Sequence, residues 1–104
     1  MKVSYQVYEQ GTEILLAACD EELLGITLED EDINLNVKKD FYGGSTVDVD
    51  EGSGKEILHE KFQKSTVANL VGEEVIEAAT DFGFGSEEDI MWIDGVPHLQ
   101  IVQL

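Results

Sequence analysis

The apolar residues of this chain fall into strand spacing at both ends and helix spacing between them. That order predicts an α+β domain, with a mostly antiparallel sheet and two helices packed on one of its faces. Three observations carry the prediction. Val3, Tyr5 and Val7 alternate with polar neighbours and precede an unbroken apolar run from Ile14 to Cys19. Two stretches, 53–64 and 72–82, repeat their apolar residues at three- and four-residue intervals. Near the C-terminus, two apolar runs flank Asp94-Gly95, a pair that a tight hairpin turn favours because both residues take positive φ.

The first alternating segment reads as a half-buried strand, and Gln10-Gly11-Thr12 can turn the chain. The run Ile14–Cys19 is apolar on both sides, as expected of a central strand covered on both faces. Asp20–Leu24 reads as one helical turn stopped by Gly25. Glu29-Asp30-Glu31-Asp32 is a charge run, read as a solvated loop, and Ile33, Leu35 and Val37 mark a third strand. Residues 43–54 read as a glycine-rich loop that can hold a short edge strand at 47–50. Ser53 and Glu56 have the spacing of a capping box, opening a helix with Ile57, Leu58 and Phe62 on one face. The second helix places Val71, Val75, Ile76, Ala79 and Phe82 on one face and Glu73, Glu74 and Glu77 outward. Glu73 and Glu74 lie in the first turn, where the helix dipole favours anions, and Gly83 ends it. Ile90–Ile93 and Val96–Val102 form the closing hairpin. Pro97 lacks an N–H, so the last strand is expected to start at a sheet edge.

At 104 residues the chain fits a single domain, 1–104. Its charge departs furthest from the ordinary. Asp and Glu number 23 against six Lys, with no Arg, for a net charge of −17. Such a field repels phosphate backbones and anionic membranes, so no direct nucleic-acid binding and no membrane association are expected. It favours a protein partner that is basic. The absence of Arg removes the usual bidentate clamp for phosphate or carboxylate. One cysteine, Cys19, allows no intrachain disulfide and suits a reducing, cytoplasmic compartment.

Motifs of catalysis and metal binding fail when tested. His59-Glu60-Lys61-Phe62-Gln63 begins like a zinc-protease helix, but Gln63 stands where the second His is needed. Two His and one Cys cannot close a four-ligand zinc site without carboxylates, so no metal and no cofactor is expected. Asp48–Gly52 starts like a calcium loop, yet Ser53 and His59 occupy the positions of its Gly and its final Glu. Gly52-Ser53-Gly54-Lys55-Glu56 lacks the first P-loop glycine and the Ser or Thr that binds Mg²⁺. Cys19 precedes Asp20-Glu21-Glu22, whose negative field opposes a thiolate. It is expected to be a buried structural thiol rather than a nucleophile.

Four segments together resemble an archaeal family of uncharacterised small proteins, domain-of-unknown-function family 424. They are Cys19-Asp20-Glu21-Glu22-Leu23-Leu24-Gly25, Phe41-Tyr42-Gly43-Gly44, Ala68-Asn69-Leu70-Val71-Gly72-Glu73 and Gly95-Val96-Pro97-His98-Leu99-Gln100. Their order follows the family and spans nearly the whole chain. His98-Leu99-Gln100, where a smaller residue is expected, and the lack of Arg depart from its pattern. The resemblance implies an archaeal cytoplasmic protein with a two-layer α/β sandwich and no established activity, in a setting of translation or the ribosome.

The leading expectation is a non-catalytic protein-interaction module. The alternative is a small enzyme or ligand-binding protein using a carboxylate and an imidazole for acid–base chemistry. The enzyme site would gather Asp20, Asn69, Glu73 and His98, with Cys19 nearby, and a recognition site of Asp20, Asn69, Glu73, His98 and Gln100 is expected where the hairpins and the second helix start meet at one end of the domain. The competing local roles are turn caps at Asp20 and Asn69 and a dipole partner at Glu73.

Overall fold

Lys2–Gln10 (β1) and Glu13–Asp20 (β2) pair antiparallel from Val3↔Asp20 to Gln10↔Glu13 in a computed structural model that describes residues 1–103. A 3₁₀ turn at Glu21–Leu23 follows, and Gly25 leaves it with φ +84°. Thr27–Asp30 (β3) and Ile33–Asn36 (β4) form a separate two-stranded hairpin. A single helical turn, Lys39–Tyr42 (α1), leads to Ser45–Asp48 (β5), which pairs antiparallel with β1. Gly54–Lys64 (α2), Val67–Val71 (β6) and Glu73–Asp81 (α3) come next, then a 3₁₀ turn at Glu87–Asp89. Met91–Ile93 (β7) and Val96–Val102 (β8) close the chain as a hairpin. Its turn residues Asp94 and Gly95 take φ +51° and +77°, the positive angles that this dipeptide signals.

The sheet order is β5-β1-β2-β6-β8-β7, with β2 and β6 parallel and all other neighbours antiparallel. Both long helices lie on one face. Side chains alternate across a strand, so Leu16 and Ala18 of β2, Ala68 and Leu70 of β6, and Leu99 of β8 meet Leu58, Phe62, Val75, Ile76 and Ala79 from the helices. The other face is partly covered too. Ala17, Cys19 and Val71 pack there with Leu28, Val37, Tyr42 and Ile93, a second small core built by the β3–β4 hairpin and α1. This is why Leu16 to Cys19 are all fully buried.

The expected α+β class, mostly antiparallel sheet and pair of helices on one face all hold. Several elements differ from the sequence reading. β6 lies between the two helices, and Val71, expected on the apolar face of the second helix, is its last residue; Ala68 and Asn69 are weak strand formers, and pairing on both sides and burial on both faces decide the strand. The charge run 29–32 is not all loop, since Glu29 and Asp30 belong to β3. The strand at 33–36 is real but sits in the small hairpin, outside the main sheet. Ser53 makes no side-chain cap, so the capping box does not form. What confines that helix start is Gly54: a Cβ there would lie 1.9 Å from the Asp48 carbonyl oxygen. Nor does β8 lie at the edge; β7 does. Pro97 is accommodated one step beyond the last β6–β8 pair, Val71↔His98, where its carbonyl accepts the Gly72 N–H.

Candidate interaction groove

Asp20 ends β2 on the helical face, under the first turn of α3. Its carboxylate oxygens accept the backbone N–H of Glu74 (3.1 Å) and of Val75 (2.9 Å). The free N–H groups of a helix start need such acceptors, and Gly72, in the N-cap position, has no side chain to offer. Asp20 thus caps α3 from another element. Burial pushes its carboxyl above the ordinary value, the two backbone hydrogen bonds pull the other way, and Glu22 and Glu73 push it up further. Gly72 has φ +119°, and a Cβ on it would fall 2.4 Å from the Asp20 carboxyl carbon.

Asn69 and His98 project from the opposite face. The Asn69 Oδ1 accepts the Tyr42 hydroxyl at 2.8 Å and lies 3.0 Å from His98 Nε2. An amide oxygen can only accept, so His98 donates from Nε2 in this arrangement. Burial lowers the His98 pKa, which favours the neutral ring. The network ties α1 to the sheet, together with the bonds donated by Ser4 Oγ to the Tyr42 carbonyl and by Tyr8 to the Asp40 and Phe41 carbonyls. Cys19 lies on this side in the second core; burial, then Asp20, pushes its thiol up to about 12. Gln100 pairs with Asn69 in register but is exposed.

The five residues expected at one site are therefore divided by the sheet. Asp20 and Glu73 stand on the helical side, Asn69, His98 and Gln100 on the other. The cause is strand parity: β2 turns Leu16, Ala18 and Asp20 toward the helices, while the register Ala17↔Asn69↔Gln100 turns those residues away. Of the local roles weighed for them, Glu73 takes its expected place in the first turn of α3, Asp20 caps across the fold rather than within a turn, and Asn69 bonds Tyr42 and His98 instead of capping a turn. His59 is likewise structural, stacked on Phe82 with ring centroids 4.3 Å apart. Among the described residues, no three His, Cys, Asp or Glu side chains are grouped to hold a metal ion.

The feature that does resemble a binding surface is a groove of about 560 Å³ between α3 and the closing hairpin. Ile76, Ile90, Pro97 and Trp92 give it apolar lining, Glu73 and Glu77 line it from α3, and Glu87 lines it from the preceding 3₁₀ turn. Trp92 is 57% exposed on the edge strand. An exposed Trp framed by carboxylates is unusual for a solvated surface and ordinary for an interface. Sequence reasoning passed over Trp92, Glu77 and Glu87. Met91-Trp92-Ile93 alternates between the two faces, and it is the packing of Ile93 in the second core that turns Trp92 to the helical face.

Residues 8–104 match the family model described as "Protein of unknown function (DUF424)". The chain belongs to this family. The match takes in every groove residue and the whole Asp20–Gly72 cap. A crystal structure of an uncharacterized conserved protein from Methanopyrus kandleri is similar to this DUF424 chain, with 28% identity and a TM-score of 0.80. The alignment covers 100% of this chain and 95% of that one. No curated protein matches. In this DUF424 fold no described helix is long and apolar enough to cross a membrane.

Proposed function

We propose that this protein is a non-catalytic interaction module that receives a basic segment of a partner protein in the groove at Trp92. One observation carries the reading: the chain's single Trp is exposed on an apolar floor between Glu73, Glu77 and Glu87. Trp supplies large contact area and a π-face that attracts Lys or Arg, and carboxylates at the rim select for cations. The net charge of −17 steers a basic partner toward the whole surface. An archaeal cytoplasmic setting near the translation machinery belongs to the same proposal and rests on the family resemblance. The enzyme alternative draws less support, because Asp20 and His98 stand on opposite faces and the Cys19 thiol is buried with a raised pKa.

Because Trp92 is the only Trp, its fluorescence reports on the groove directly. Titration with a Lys-rich apolar peptide is expected to shift Trp92 emission to the blue, with affinity that falls as salt is added. Glu77→Lys is expected to weaken this by about tenfold or more. Binding that leaves Trp92 emission unchanged, or that ignores Glu77→Lys, would place the contact elsewhere and sink the proposal.

A further inference from the structure

We infer that the occupant of the groove is a basic amphipathic α-helix, lying alongside α3 and completing the helical layer; this deepens the interaction reading and rests on it. The sheet is six strands wide, roughly 29 Å across at about 4.8 Å per strand. Two helices packed 8–10 Å apart cover about 20 Å of that width. α2 lies over β5 and β2, and α3 over β2, β6 and β8. Residues 84–90 pack over the far end of β8, with Gly85 close against Leu99 and Ile101, and what stays open is the strip along the β7 edge at Trp92. One more helix beside α3 fits that strip.

The groove wall has helical periodicity. Glu73, Ile76, Glu77 and Thr80 recur along α3 at i, i+3, i+4 and i+7, a wall about 10 Å long at 1.5 Å per residue. A facing helix with apolar residues at i, i+3 or i+4, and i+7 presents three side chains over the same length. These descend onto Ile90, Trp92 and Pro97. Lys or Arg one turn apart on its flank meets Glu73 and Glu77, themselves one turn apart, and Glu87 meets a cation near one end. An extended occupant is less suited. β7 has three residues, and alternate residues face outward along an edge, so an added strand gains at most two pairing residues.

The test uses two synthetic peptides of about 14 residues, roughly four turns. The first carries Leu at i, i+4 and i+7 with Lys on both flanks. The second is identical except for Pro at a central solvent-facing position, which breaks the helix and leaves the charge and the apolar side chains. Trp92 fluorescence measures binding and circular dichroism measures peptide helicity. The first peptide is expected to gain helix on binding and to shift Trp92, and the Pro peptide to bind at least about tenfold more weakly. Glu73→Lys with Glu77→Lys is expected to abolish binding. Glu87→Lys, outside any long helix, is expected to weaken it should the double variant fold poorly. Glu29→Lys with Asp32→Lys, an equal charge change on the β3–β4 turn, controls for long-range attraction and is expected to leave most of the affinity. Equal binding of both peptides with a Trp92 shift would overturn the helical occupant and leave the groove reading standing. Failure of both to move Trp92 would overturn the two together.

Discussion

Asp20 and Cys19 are neighbours with opposite fates because alternate residues of a strand face opposite layers. Asp20 turns toward α3 and finds two N–H groups. Cys19 turns into the second core, fully buried among Ala17, Val71 and Tyr42. A thiol with a pKa near 12 holds about one part in ten thousand as thiolate at pH 8, against a substantial fraction for a free peptide thiol. Cys19 is therefore expected to react with a disulfide reagent about 10³-fold more slowly in the native protein than in denaturant. A native rate equal to the unfolded one would make Cys19 a candidate nucleophile after all. His98 makes the same point about environment: near the exposed end of a hairpin by sequence, it is held half-buried against Asn69 and Tyr42, which favours its neutral form.

The elements depend on a few close approaches. α3 begins where Gly72 passes over the Asp20 carboxylate, at a φ that residues other than glycine rarely adopt. Gly72→Ala combines that backbone strain with a clash against a buried acceptor, and is expected to cost roughly 2–4 kcal/mol. Gly83, at the far end of α3, has φ +89° but open space around it. Gly83→Ala is expected to cost only the backbone term, about 1–2 kcal/mol. Urea denaturation of the two variants gives the comparison, and equal losses would show that contact with Asp20 is not what confines the helix start. The same reasoning explains why the Ser53–Glu56 spacing misled: α2 is positioned by Gly54 against β5, so its start needs no box.

At the scale of the whole molecule, repulsion among 23 carboxylates opposes a fold held mainly by its two cores. Close pairs relieve little of it, since the Lys64–Glu60 bridge is exposed on both sides. Raising the salt from 0.15 M to 1 M shortens the screening length from about 8 Å to about 3 Å. The melting temperature is expected to rise by about 5 °C, corresponding to about 1 kcal/mol in a domain of this size. Sodium chloride is the salt to use, because sulfate also strengthens apolar burial. A flat or falling melting temperature would show that self-repulsion does not limit stability.

The sequence by itself determined the α+β class, the opening and closing hairpins, both long helices to within a residue or two, and the Asp94-Gly95 turn. Each is written in local periodicity or turn chemistry, which needs no partner to be read. Only the tertiary structure decided that Val67–Val71 is a central strand, because its pairing with β2 and β8 is nonlocal and overrides two weak strand formers. Only the tertiary structure divided Asp20 and Glu73 from Asn69, His98 and Gln100, because the face a side chain takes follows from register across three strands. The groove at Trp92 has the same origin: six strands are wider than two helices, and no local pattern states which strand is left uncovered.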